Sequence, residues 1–270
     1  MKNLFCVEGK VILITGAAGV LGYSMVNHFA EQGATVVILD RNEEAGKALA
    51  NEVSSKGYKA DFLFTDVLNK EVLQKNYDEI MSKYGRIDVL INGAGGNMPG
   101  ATIAPDKTIF DLDTDAFKKV VDLNLFGTIL PTMVFSQAMA KQAEGVIINI
   151  SSESAIRPLT RVCGYGTAKA AVTNFTKYMA GELAVKFGEG IRVNAIAPGF
   201  FITEQNRTLL TNPDGTYTQR GKEVIAHTPF RRFGEPEELL GTLQWLASDA
   251  SKFVTGTLTV IDGGFDAYSI

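Results

Sequence analysis

Seven short apolar runs, at positions 11–15, 36–39, 61–64, 89–91, 146–150, 193–196 and 258–261, alternate along the chain with longer segments of helix-forming composition. The longer segments cover 20–32, 43–56, 70–84, 116–142 and 164–187. Several of the short runs, such as Val11-Ile12-Leu13-Ile14 and Val146-Ile147-Ile148, are apolar at successive positions. Strands read this way when helices cover both faces of their sheet. The alternation itself is the pattern of a parallel sheet with helical crossovers. Gly33, Gly57, Gly85 and Gly188 follow four of the predicted helices, where a left-handed cap favours glycine.

No linker rich in Pro, Gly or Ser and no internal repeat divides the 270 residues. That length is within reach of one α/β layer structure. The expectation is a single doubly wound, Rossmann-type α/β domain over 1–270, with a seven-stranded parallel sheet and helices on both faces. A net charge of −4 with no long block of one sign leaves no footprint for a nucleic acid. The N-terminal residues lack the uninterrupted apolar core of a signal peptide, and no stretch reads as a membrane span, so a cytoplasmic location is expected. Cys6 and Cys163 are expected to be buried or idle thiols rather than a bridge. With only His28 and His227 besides, far apart in sequence, no metal site is expected.

The first run continues as Thr15-Gly16-Ala17-Ala18-Gly19-Val20-Leu21-Gly22, a strand, a glycine-rich turn and a helix. Such a turn lets the backbone approach a pyrophosphate, which then meets the free N–H groups of the helix N-terminus. The second strand ends at Asp40-Arg41, about 20 residues on, where an acidic side chain binds the adenosine ribose. Asp40 would accept from the 2′-hydroxyl and repel a 2′-phosphate, which favours NAD(H). Arg41 beside it could hold that phosphate, so NADP(H) stays open.

The segment 203–232 interrupts the rhythm, with a turn at Asn212-Pro213-Asp214-Gly215. An insertion beyond a strand's carboxyl end lies above the ligand crevice of such a sheet, so this one is a candidate substrate lid as well as a surface loop.

Nearly the whole chain resembles the short-chain dehydrogenase/reductase family. The segment 15–22 resembles its nucleotide turn, with Gly16, Gly19, Val20 and Leu21 at the cofactor positions, although Val20 replaces the usual middle glycine. Asp66-Val67 is similar to its adenine contact, and Asn92-Gly93-Ala94-Gly95 to its Asn-Asn-Ala-Gly element with Gly93 as the departure. Asn124, Ser152, Tyr165 and Lys169 fall in the order and spacing of its catalytic tetrad. Pro198-Gly199 and Thr203 resemble its nicotinamide-side loop, and Asp262-Gly263-Gly264 its C-terminal signature. The resemblance implies that Lys169 binds the nicotinamide ribose, that Asn124 keeps a water in the proton relay, and that the enzyme is a homotetramer packed through its long helices. Within the family, the segments 95–97, 157–162, 200–207 and 263–269 look like the fructuronate reductase (D-mannonate oxidoreductase) subgroup.

The chemistry suits these residue types. Tyr165 and Lys169, four apart, share a helix face. A lysine cation near a phenol lowers its pKa, so the tyrosine can give a proton in reduction and take it back in oxidation. Ser152, just past an apolar strand, could hold the substrate oxygen. Taken singly, Ser152 reads as a capping serine and Tyr165 as a partly buried aromatic; the joint spacing is what points to hydride transfer. Asn97, Glu153, Gln205 and Asn206 would suit a polyhydroxylated substrate, and Arg157 or Arg207 a carboxylate. That set favours a sugar acid. Another sugar, a polyol or a 3-oxoacyl thioester is the alternative within the family, and a non-catalytic dinucleotide sensor the alternative of another class.

Overall fold

Side chains alternate across each strand, and in the central strands of this molecule both sets are buried. The computed structural model describes residues 3–203 and 206–269. Its strands are β1 (Val11–Thr15), β2 (Thr35–Asp40), β3 (Lys59–Phe64), β4 (Val89–Asn92), β5 (Gly145–Ile150), β6 (Ile191–Pro198) and β7 (Leu258–Ile261). All pair in parallel in the order β3-β2-β1-β4-β5-β6-β7. This is the expected sheet, with strand ends moved by one or two residues.

Ile12, Ile14, Val36, Ile38 and Ile148 point to one face. There they meet Met25 and Phe29 of α1 (Val20–Glu31) and Leu49 and Val53 of α2 (Glu43–Ser55). Leu13, Val37, Leu39, Leu90 and Ile147 point to the other. They pack on Leu73 and Ile80 of α3 (Lys70–Tyr84), on Phe135 and Met139 of α5 (Gly127–Gln142), and on Leu183 of α6 (Cys163–Phe187). A fully buried Leu, Ile or Phe of this kind contributes roughly 1.5–3 kcal/mol. Two covered faces explain why the strands read as continuous apolar runs. Gly33, Gly57, Gly85 and Gly188 all have positive φ, as the cap argument expects.

Four details differ from expectation. The long helix expected over 116–142 begins earlier, as α4 (Thr114–Val121), and passes into α5 through a π-helical turn at Asp122–Phe126. As one body it spans Thr114–Gln142, long and apolar enough by composition to cross a membrane, where no such stretch was expected. Just over half of that window, 56%, is buried inside the protein, which accounts for its apolarity. Two helices are additional: α8 (Gln219–His227) within the 203–232 segment, after the single turn α7 (Arg207–Leu210), and α9 (Leu240–Ala247), which joins the core beside α1. Cys6 and Cys163 are free but exposed rather than buried.

Candidate active site

Strand order reverses between β1 and β4, so their carboxyl ends open the crevice where such sheets bind ligands. Thr15 ends β1, fully buried, and its hydroxyl accepts from the amides of Gly93 and Ala94, both at 3.1 Å. One threonine thereby fastens the first turn to the loop after β4. Sequence reasoning placed Thr15 only within the turn; its signal is a hydroxyl residue at a strand end directly before the glycines.

Gly16 has φ 66°, and a Cβ there would lie 2.8 Å from Ala94 Cα. A Cβ on Gly22 would lie 2.5 Å from the Gly16 carbonyl. Both positions exclude larger residues. A Cβ on Gly19 would make only ordinary contact, at 3.4 Å, so the turn does not depend on a glycine in its middle and Val20 opens α1 without distortion. The side chains of Asn42 and Asn69 cap α2 and α3, whereas α1 has no side-chain cap. Its first-turn N–H groups are left for a ligand, as a pyrophosphate requires.

Asp40 ends β2 with its carboxylate fixed, one oxygen accepting from the Ala18 amide at 2.9 Å and the other from the Asn42 amide at 2.8 Å. Each oxygen keeps a further lone pair for a ribose hydroxyl. Arg41 is exposed beside it. Asp66 caps its own turn through Leu68 N, and Val67 is buried. Asn92 is spent inward, donating to Thr132 Oγ1 at 2.9 Å and Asn149 Oδ1 at 2.8 Å, so only its backbone faces the loop of Ala94 and Gly95. At the far side, Gly199 donates to the Ile261 carbonyl, and a Cβ on it would come 2.7 Å from Asp262 Cα. Pro198 and Gly199 thus run tight along the end of β7, while the Thr203 amide donates to Asn206 Oδ1. These features fit a nicotinamide dinucleotide: Gly16 to Leu21 would hold the pyrophosphate and Asp40 the adenosine ribose. When bound, that group supplies or accepts the hydride.

The proton-handling groups gather where α6 crosses the end of β5. Lys169 is buried, and its Nζ donates to the Ile150 carbonyl at 2.7 Å and lies 5.6 Å from the centre of the Tyr165 ring. Burial pulls its pKa down to about 8. Tyr165 is pushed up from its ordinary value by burial, against a hydrogen bond with Ser152 that lowers it. The lysine was expected to lower the phenol; in the folded chain desolvation prevails, and what opposes it is the Ser152 hydrogen bond rather than the lysine. Ser152 caps the short turn Glu153–Ala155, its Oγ accepting from the Ser154 amide at 3.2 Å and from Ser154 Oγ at 3.0 Å. The capping and catalytic readings of this serine are therefore compatible.

Asn124 sits on the π-turn, fully buried. Its Nδ2 donates to Gly96 O at 2.7 Å and Val120 O at 2.8 Å, and its Oδ1 accepts from Gly96 N at 2.9 Å. A Cβ on Gly95 would lie 2.7 Å from Asn124 Oδ1 and 3.2 Å from Lys169 Nζ. The side chain assigned by resemblance to a relay water is thus engaged in holding the Gly95-Gly96 loop against Lys169.

The tentative substrate residues are scattered in role. Asn97 donates to Thr102, and its buried Oδ1 has no partner. Glu153 is buried with both carboxyl oxygens unpartnered. The Arg157 guanidinium is held by Asp266, through Nε to Oδ1 at 2.8 Å and through Nη2 to the Asp266 carbonyl. Asn206 is spent on its own loop, donating to Phe201 O and accepting from Thr203 N, both at 2.8 Å. Arg207 opens α7 with an exposed side chain. Gln205 lies outside the described residues. Asp262 accepts from the amides of Gly264 and Asp266 and so builds the turn after β7. The 203–232 segment carries a small core of its own: Leu210 and Val224 pack with Phe233 and with Phe265 of the C-terminal segment, and Leu159 leans on them.

A crevice fitted to a dinucleotide, with Ser152, Tyr165 and Lys169 gathered beside it, is the arrangement of an NAD(P)-dependent oxidoreductase interconverting a ketone and a secondary alcohol. The profile of the short chain dehydrogenase family matches residues 10–214, and the chain belongs to that family. An uncharacterised oxidoreductase of Bacillus subtilis, UxuB, is 45% identical, over 97% of this chain and 96% of its own. A solved structure from Haemophilus influenza, provisionally named a D-mannonate oxidoreductase and with NAD bound, has a TM-score of 0.90 at 42% identity, covering 99% of both chains. A gluconate 5-dehydrogenase of Burkholderia cenocepacia, in complex with NADP and tartrate, has a TM-score of 0.88 at 32% identity, covering 98% of both.

Proposed function

We propose that the protein reduces D-fructuronate to D-mannonate with NADH, acting in the cytoplasm as a homotetramer. Tyr165 protonates the substrate oxygen, Ser152 orients it, and Lys169 and Asn124 hold the nicotinamide side of the loop in place. The observation that carries the substrate class is buried polar capacity left over at two of the expected substrate residues: Asn97 Oδ1 and both oxygens of Glu153, the residue after Ser152, have no partner inside the protein. A chain of hydroxyl groups supplies such partners, and an acyl or steroid skeleton does not. The kinship with a provisionally named D-mannonate oxidoreductase supports the same reading, and the fixed Asp40 carboxylate supports NADH over NADPH. The 203–232 segment acts as a lid. Arg207, at the start of α7 in that segment, is the carboxylate clamp.

The test is a reductase assay of the purified protein with both cofactors against D-fructuronate, a neutral ketose and a 3-oxoacyl thioester. Fructuronate with NADH should give the highest kcat/KM. Arg207→Met should raise KM for fructuronate about tenfold to a hundredfold, the worth of one charge-assisted hydrogen bond, and leave a neutral ketose nearly unaffected. Ready turnover of the ketose or thioester with fructuronate untouched would overturn the sugar-acid assignment.

A further inference from the structure

Glu153 follows Ser152 directly and is 1% exposed. Among the described residues, four buried side-chain N or O atoms lack a hydrogen-bond partner, and two of them are its carboxyl oxygens. The charges acting on it are Asp262 and Asp266 of the C-terminal segment and Arg157 of its own turn. Of the elements around it, α6 contributes Tyr165 and Lys169 to the site, and α8 contributes His227 over the C-terminal segment.

Arg157 lies one helical turn beyond Glu153, its amide bonded to the Glu153 carbonyl at 3.0 Å. An i, i+4 ion pair between the two is the obvious local arrangement. The chain does not make it. The guanidinium instead reaches 109 residues along the sequence to Asp266. That choice anchors a segment with a second attachment: Phe265 meets His227 edge-on at 4.5 Å and Phe200 at a tilt at 5.2 Å, and Tyr268 meets His227 at 5.8 Å. The C-terminal segment is thus pinned through Asp266 to the Ser152 turn and, on either side of it, through Phe265 and Tyr268 to α8 of the proposed lid.

A buried carboxylate with no donor and two like charges nearby is unfavourable, and a carboxyl in that position keeps its proton. We propose that Glu153 is a positioning residue that works as the neutral acid: protonated, it leaves Arg157 to Asp266 and the C-terminal segment stays clamped on α8; ionised, it draws Arg157 away, repels Asp266, and releases the segment. The proton goes to solvent and no covalent bond changes. The direction of its titration agrees, since burial first and then Asp266 and Asp262 push the acid up to about 7, with Arg157 opposing them. Closure over the substrate side is then complete in mild acid and loosened in mild base.

Hydrogen exchange of the full chain without substrate, corrected for intrinsic rates, tests this independently of what the enzyme reduces. In the wild type, amides of 262–269 should exchange roughly tenfold faster at about pH 8 than at about pH 6, as one deprotonation opens the clamp. Glu153→Gln, neutral and of the same shape, should stay slow at both, and Asp266→Asn should be fast at both. An equal acceleration in Glu153→Gln overturns the proposal, as does its absence in the wild type. With D-fructuronate, KM should climb with pH in the wild type and remain level in Glu153→Gln. No turnover of fructuronate by any form would count against the substrate reading alone, because the exchange result still decides on Glu153.

Discussion

At the scale of single residues, burial works on Tyr165 and Lys169 in opposite senses, raising the phenol and lowering the ammonium. A lysine with a pKa of about 8 is still roughly nine-tenths charged at neutral pH. The raised phenol keeps its proton, as a ketone reductase needs, while alcohol oxidation needs the phenolate. At saturating substrate, reduction should therefore hold up through neutral pH and decline only in strong base, whereas oxidation should rise with pH over the same range. Tyr165→Phe should depress both directions by about 10²–10⁴-fold, the usual worth of a general acid, with NADH binding retained. Initial rates in both directions and a fluorescence titration of NADH check this. Activity within a factor of about three of wild type would remove Tyr165 from the mechanism.

At the scale of elements, the π-turn at Asp122–Phe126 presents one side chain to a loop from another strand. Asn124 satisfies both the amide and the carbonyl of Gly96 and so fixes the backbone beside Lys169. Asn124→Ala leaves those groups and Val120 O without their buried partner, an expected loss of about 2–4 kcal/mol in stability. The melting temperature should fall and NADH should bind more weakly, because the loop from Gly95 to Asn97 loses its anchor. Calorimetry and cofactor titration of the variant measure both, and an unchanged melting point with unchanged NADH affinity would mean that the loop is held by other contacts.

At the scale of the whole molecule, the long helices divide as a core helix and an interface helix would. Val134, Phe135 and Val172 are buried within the chain. Phe126 at 44%, Met133 at 51%, Tyr178 at 63% and Val185 at 86% are exposed on the same helices. The β7 side adds Phe253, fully exposed, and Val260. Two separate apolar faces on one chain suit a closed assembly with two kinds of contact, as a tetramer has. Light scattering at micromolar concentration should give the mass of four chains, and Val185→Glu with Tyr178→Glu should reduce it. A monomer mass for the wild type would defeat the proposal.

Much of this was legible in the sequence, because it depends on neighbours in the chain. The strand runs, the glycine caps and the turn from Gly16 to Gly22 follow from side-chain periodicity and local sterics, which act over a few residues. So does the shared face of Tyr165 and Lys169. The short helices α8 and α9 escaped notice because eight or nine residues carry little periodic signal, and tertiary packing on Phe265 and on α1 holds them. The exposure of Cys163 likewise depends on what packs against it. The choice of Arg157 between Glu153, four residues away, and Asp266, 109 residues away, was beyond any local reading. So was the sense in which Tyr165 titrates, since burial is a sum over the whole fold. Local rules placed the catalytic residue types along one sheet edge; only the tertiary structure settled their partners and their charge states, because desolvation and long-range pairing arise once distant segments share the same dry interior.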